Sequence, residues 1–196
     1  MDLRVVKTKK VIREAFLSLR QHYPLEKVKV TDICRIALIN KSTFYKYYVD
    51  VYALSEELEE EAIKNFWDGF TEKDCLIYDP KQFFKGLQNN VQANLDALLP
   101  LYQDRFSIFF TKMEKKLKEY YTRFARSEEE EIQLSFLIIG TLHTFQNYRN
   151  SQKFTAEVIE ESLAHIIENI FCVGRKPLSE SEENKTLNDQ QTERRS

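Results

Sequence analysis

Residues 30–48 read VTDICRIALINKSTFYKYY, and the second half of that stretch decides how the chain is to be read. Asn40 to Tyr48 holds three tyrosines, two lysines, a serine, a threonine and an asparagine, with Phe44 as its one purely apolar side chain. A helix packed into a core brings an apolar stripe of several residues. This segment instead shows hydroxyls and positive charge to something outside the protein, and Phe44 is its anchor. Just before it, VTDICRIA fits a short helix: Ile33, Ile36 and Ala37 share one face, and Asp32 near the start suits the positive end of the helix dipole. The residues LIN leave room only for a turn, after which Asn40 can cap a helix over Lys41 to Tyr48.

The rest of the composition agrees with a helical protein. Of 196 residues, 42% are hydrophobic and 31% charged, with four glycines and four prolines, which is fewer breakers than average usage supplies. The expected class is all-α, and the length is enough to bury a core. The most apolar run, IQLSFLIIGTLHTF, stops short of the roughly 18 uncharged residues a membrane span needs and reads as a buried helix. The N-terminus has basic residues but no apolar block with a small-residue cleavage site. Cys34, Cys75 and Cys172 are odd in number and far apart, with no CxxC or Cys/His cluster. The expectation is a reduced cytoplasmic protein with no metal and no cofactor. Without a Gly-rich phosphate loop or a paired nucleophile and base, an enzyme is not expected.

The formal charge of −2 conceals an asymmetry. Residues 1–50 carry eleven Lys and Arg against five acids, a surplus of six, and the remaining 18 cations meet 26 acids, a deficit of eight. A basic N-terminal quarter on an acidic body is the footprint of a polyanion-binding surface.

Along the chain, Val11, Ile12, Ala15, Phe16 and Leu19 mark a helix over Thr8 to about His22, with Lys9, Lys10, Arg13 and Arg20 on its polar face. A long amphipathic helix follows from Asp50 to Gly69, then a loop at 71–79. Pro80 opens a helix expected to run to Leu99, where Pro100 breaks it. Another helix spans 106–124, and SEEEE opens one from Glu128 to Tyr148 that is apolar nearly all round between Ile132 and Leu142. The last, Thr155 to Phe171, carries apolar doublets every four residues. These two helices offer more apolar surface than one chain easily hides, which points to a four-helix interface between two copies. Leu137, Gly140, Ile159, Leu163, Ile166 and Ile170 are the dimerisation candidates, Gly140 because it permits close helix approach. The expected organisation is a basic N-terminal domain over 1–50, a helical body over 51–173 and a disordered tail over 174–196.

Two short helices joined by a three-residue turn have the proportions of a helix-turn-helix. Residues 30–54, with the helix before them, resemble the DNA-binding domain of TetR-family transcriptional regulators, whose pattern runs D-I-x-x-x-A-G-[VI]-x-[KR]-[SG]-T-[FL]-Y-x-[HY]-[FY]. Asp32, Ile33, Ala37, Lys41, Ser42, Thr43, Phe44, Tyr45, Tyr47 and Tyr48 fall in register. The resemblance implies an N-terminal three-helix helix-turn-helix domain on a helical ligand-binding and dimerisation domain. It also implies a homodimer on an inverted-repeat operator. Phe44 would pin the recognition helix. Ser42 and Thr43 would let it approach the duplex, Tyr45 and Tyr47 would touch phosphates, and Lys41 would reach a guanine edge or a phosphate. Thr31 would add a phosphate contact, while Asn40 and Lys46 complete the DNA-facing set.

Three positions depart from the pattern. Leu38 stands where a turn glycine is common, so its backbone must avoid positive φ or carry strain. Val51 replaces a frequent phosphate-binding lysine, and Lys29 a frequent threonine cap. The expected function is a regulator, a repressor, controlled by a small effector. An alternative is a regulator, a repressor or an activator, whose body binds a partner protein. Trp67, Tyr102, Phe110, Gln146 and Asn147 are candidates for an effector pocket, together with His143, which is read first as a core or interface histidine.

Overall fold

The computed structural model describes residues 3–103, 105–148 and 152–171, without the side chains of Ile170 and Phe171; Cys172 and the expected tail at 174–196 lie outside the described residues. Every regular element among them is helical. The chain forms two units: Met1–Gly69 with Asn90–Phe109, and Phe70–Asn89 with Phe110–Ser196. The expected boundary at residue 50 falls inside unit one.

Unit one begins with α1 (Leu3–Arg20), which starts five residues before the expected Thr8 because nothing in LRVVK breaks a helix. Its buried residues include Ile12, Ala15 and Phe16, as the apolar stripe requires, and also Arg20. That placement corrects the polar-face assignment of Arg20, which is 0% exposed. The guanidinium can be buried because it meets carbonyls: Nη1 donates to the Tyr23 oxygen at 2.7 Å and Nη2 to that of Leu101 at 3.3 Å. In return Gln103 donates through Nε2 to the Arg20 carbonyl at 2.6 Å.

The next helix, α2 (Val30–Ile36), buries Ile33 and Cys34 while Ile36 stays exposed, so Cys34 takes the inward place expected of Ile36. Lys29 holds its N-cap position with no side-chain cap bond. Leu38 ends the helix at φ 53°, in the left-handed region, and the Ile39 amide donates back to the Cys34 carbonyl at 3.0 Å. This is the closure that a glycine usually makes at this point.

Beyond the turn, α3 (Lys41–Phe44) tightens into a turn through Tyr47, held by Lys46 N–H to Thr43 O and Tyr47 N–H to Phe44 O. Its N-cap, Asn40, makes no side-chain cap bond. Asp50 Oδ1 caps α4 (Val51–Gly69) by accepting the Ala53 amide at 2.8 Å. Unit one is completed by α6 (Leu95–Tyr102), which packs on α1 and α4. Here the expected break at Pro100 is displaced. The interruption comes at Asn94, whose amide is shared between the Asn90 and Val91 carbonyls and whose Nδ2 donates to Asn90 O at 2.8 Å, and α6 runs through Pro100. On α4, Phe66 meets Phe109 edge-on at 5.2 Å, and Tyr102 packs on Phe109 at 5.5 Å.

Unit two takes most of α5 (Pro80–Ala93) and α7 (Phe106–Tyr121), with α8 (Glu128–Tyr148) and α9 (Ala156–Phe171). The loop at 70–79 is fastened by Tyr121, buried, whose hydroxyl donates to Lys73 O at 2.6 Å and accepts the Leu76 amide at 3.0 Å. Burial holds that phenol far above its usual pKa. Ser127 and the charged first turn of α8 form a cap: Ser127 Oγ accepts the Glu130 amide at 3.2 Å, and Glu130 Oε2 accepts the Arg126 amide at 2.5 Å.

Candidate nucleic-acid interface

The turn after α2 delivers α3 with Phe44 fully buried and its other side chains turned outward. Asn40, Lys41, Ser42, Tyr45 and Lys46 are exposed, Thr43 and Tyr47 half-buried, and Thr31 is exposed in the first turn of α2. All eight expected contact residues therefore lie on two consecutive helices, the turn between them and the turn that ends the second. Tyr45 and Tyr48 grip Phe44 from two sides, at 5.6 and 5.7 Å between ring centroids. Val51, at the place of the frequent lysine, is buried.

Behind this surface sits a cluster that sequence reasoning missed. The Glu57 carboxylate on α4 accepts hydrogen bonds from Lys9 Nζ at 2.8 Å, Arg13 Nη2 at 2.7 Å and the Tyr48 hydroxyl at 2.8 Å. Arg13 reaches on to Glu61 at 2.8 Å, and the Lys9 ammonium lies 5.2 Å from the Tyr48 ring centre. Burial pushes the Glu57 carboxyl up, but the three donors together outweigh it and hold it at about 2. Within EELEEE, Glu57 reads as one member of a solvated acidic face. The available signal was a match of periods: Lys9 and Arg13 are four apart on α1, and Glu57 and Glu61 four apart on α4. The pairing also removes Lys9 and Arg13 from the basic footprint, and Arg20 is lost to it by burial.

The other expected sites divide. On α8 and α9, Leu137, Ile159 and Leu163 are buried within the chain, Ile166 is 51% exposed, and the side chain of Ile170 lies outside the described residues. Gly140 is exposed, and beyond its chain neighbours and its own helix backbone no atom of the described residues lies within 4 Å of where a Cβ would stand. Besides Ile166, the apolar side chains exposed on these helices include Ile132 at 70% and Phe136 at 73%, with Ile139 and Val158. None of these four was singled out, because an all-round apolar helix gives no phase from which to choose a face.

Of the expected pocket residues, Trp67 and Tyr102 belong to unit one and Phe110, His143, Gln146 and Asn147 to unit two. Tyr102 is core: its hydroxyl donates to the Glu59 carbonyl at 3.2 Å. Phe110 is buried near Phe145. The core reading of His143 is corrected, since it is exposed and its Nε2 lies 3.8 Å from Glu114 Oε2. Gln146 is half-buried and Asn147 exposed. Unit two does carry an open apolar groove of about 180 Å³ between α8 and α9, lined by Thr144, Tyr148, Phe154, Val158, Ile159, Ser162, Leu163 and Ile166. None of the expected pocket residues lines it.

Among the described residues no helix is long and apolar enough to cross a membrane. No protein-family model and no curated protein matches the chain. Solved structures do match, among them a protein of Shewanella sp. PV-4 provisionally assigned to the TetR family of transcription regulators. It is 13% identical with a TM-score of 0.46, over 84% of this chain and 97% of that one.

Proposed function

We propose that this chain is a sequence-specific DNA-binding transcriptional regulator of the TetR type, acting in the cytoplasm as a homodimer with α3 in the major groove. The observation that carries the reading is the division of α3 and the turn that ends it: over 41–46 Phe44 alone is buried, while Lys41, Ser42, Tyr45 and Lys46 stand in solvent. On this reading Lys41 meets a guanine edge, Ser42 and Thr43 allow close approach, and Tyr45, Tyr47, Lys46 and Thr31 meet phosphates, with Asn40 at the groove entrance. The dimer face is the exposed apolar strip of α8 and α9, with Gly140 as the point of closest approach.

The test is selection from a random duplex pool followed by titration. Affinity for the selected duplex should fall steeply with salt, as counterions are released by each phosphate contact. Lys41→Ala should relax preference at one base pair at a cost of about 1–3 kcal/mol, while Tyr47→Phe should weaken all duplexes alike. Equal weakening of selected and random duplex by Lys41→Ala would move that lysine to the backbone, and failure of the wild type to enrich any sequence would end the reading.

The family resemblance implies repression relieved by a small effector in the body, and any such compound must be weakened by DNA in the ratio by which it weakens DNA binding. A second reading, a partner protein on the body, has the open groove in its favour. At about 180 Å³ it is smaller than the roughly 300–1,000 Å³ of pockets that enclose small ligands.

A further inference from the structure

We propose that Glu57 is the positioning residue of the recognition helix, fixing the end of α3 to α4 through Tyr48 so that discrimination between DNA sequences depends on it; this rests on the DNA-binding reading above. Phe44 fixes α3 from below, but one buried ring leaves the helix free to pivot about it. The second fixed point is Tyr48, four residues on, with its ring against Phe44 and its hydroxyl 2.8 Å from Glu57 Oε1. Glu57 is itself held from the other side by α1, through Lys9 and Arg13. Three elements of unit one therefore meet on one carboxylate, and only one of the three, the segment ending in Tyr48, carries the candidate DNA-facing side chains.

The chemistry separates positioning from attraction. Phosphate contacts depend on net positive charge near the duplex and tolerate a loosely held helix, whereas base-edge hydrogen bonds demand a defined orientation. Removing the Tyr48 hydroxyl cuts the link and leaves every charge in place. Replacing the Glu57 carboxylate by the amide of glutamine weakens it, since the charged acceptor becomes a neutral one, and at the same time releases Lys9 and Arg13 from their counter-charge. The two changes should therefore act in the same direction on discrimination and differently on non-specific attraction.

The experiment compares wild type, Tyr48→Phe, Glu57→Gln and the double variant on the duplex that wild type selects from a random pool and on a scrambled duplex of equal length. Measurements are made at a temperature where circular dichroism shows each protein folded. Tyr48→Phe should lower the ratio of the two affinities by about fivefold, within the range by which members of one hydrogen-bonded network couple, while leaving scrambled-duplex binding and its salt dependence unchanged. Glu57→Gln should lower the ratio in the same direction but by less, because its amide oxygen still accepts from Tyr48, and should tighten binding to the scrambled duplex. The double variant should lose no more discrimination than the worse single one. If Glu57→Gln does not fold, Tyr48→Phe decides by itself. A ratio equal to that of wild type in folded Tyr48→Phe would overturn the proposal with the DNA-binding reading intact. A wild type that selects no sequence would remove both.

Discussion

Leu38 and Glu57 show how single positions diverge from what their residue types suggest. Leucine at φ 53° costs about 1–2 kcal/mol relative to a right-handed residue, and at 91% exposed this side chain recovers nothing by packing. Asparagine tolerates that backbone region, so Leu38→Asn should raise unfolding stability by about 1 kcal/mol, seen as a higher denaturant midpoint with unchanged slope. No gain would mean that the leucine makes a compensating contact. Glu57 gives a pH signature. Its folded carboxyl titrates at about 2 against an ordinary 4.5, so its contribution is present above about pH 4.5 and is lost as pH falls towards 2. Wild type should accordingly lose more stability than Glu57→Gln across that window, measured by urea unfolding at a series of pH values. Parallel curves would show that the carboxylate is not held as the geometry indicates. Leu38 was legible as an alternative between strain and avoidance, and only coordinates decide it. Glu57 was not legible, since its three donors come from residues 9, 13 and 48 and their meeting depends on tertiary packing.

At the scale of elements, periodicity located the helices and missed details that depend on single side chains. The helix over Glu128–Tyr148 matches its expected bounds because Ser127 and the acids after it form a cap readable from residue type and order alone. The break between α5 and α6 was misplaced because Pro100 is the stronger breaker by propensity, while Asn94 wins through a local side-chain bond to Asn90. On α3 the sequence pattern identified both the buried anchor and the outward set. Phe44→Ala should cost about 3–5 kcal/mol by the usual measure of a buried ring, seen in thermal or urea unfolding of the whole chain. Two helical glycines offer a sharper contrast. A Cβ on Gly86 would come within 2.5 Å of the Glu72 side chain, so Gly86→Ala should destabilise by about 1–3 kcal/mol. On Gly140 a Cβ meets no other part of the described residues within 4 Å, so Gly140→Ala should stabilise α8 by about 1 kcal/mol from helix propensity. On the dimer reading, the same methyl would also weaken association, and equilibrium sedimentation separates the two effects.

For the whole molecule, the proposed function turns on two copies presenting two recognition helices at a fixed separation. Successive major grooves on one face of DNA lie about 34–36 Å apart, so duplexes enriched from a random pool should be inverted repeats with one preferred spacing. The pairing must come from surface that the chain leaves uncovered. Ile132 and Phe136 stand one helical turn apart on α8, both more than two-thirds exposed, and Ile166 is half exposed on α9. Burying them in a self-complementary contact of the roughly 1,200–2,000 Å² typical of stable interfaces would remove an apolar strip that a lone chain presents to water. Phe136→Glu places a charge in the middle of that strip, and by symmetry places two in the interface. The variant chain should fold, since Phe136 is exposed within its own chain, but it should sediment as a monomer where wild type sediments as a dimer. Its DNA binding should then fall on the full inverted repeat towards the level of a single half-site, with the base preference within each half unchanged. A Phe136→Glu protein that stays dimeric would move the interface off this face of α8. One that is monomeric yet binds the full repeat as tightly as wild type would remove the need for the dimer in recognition.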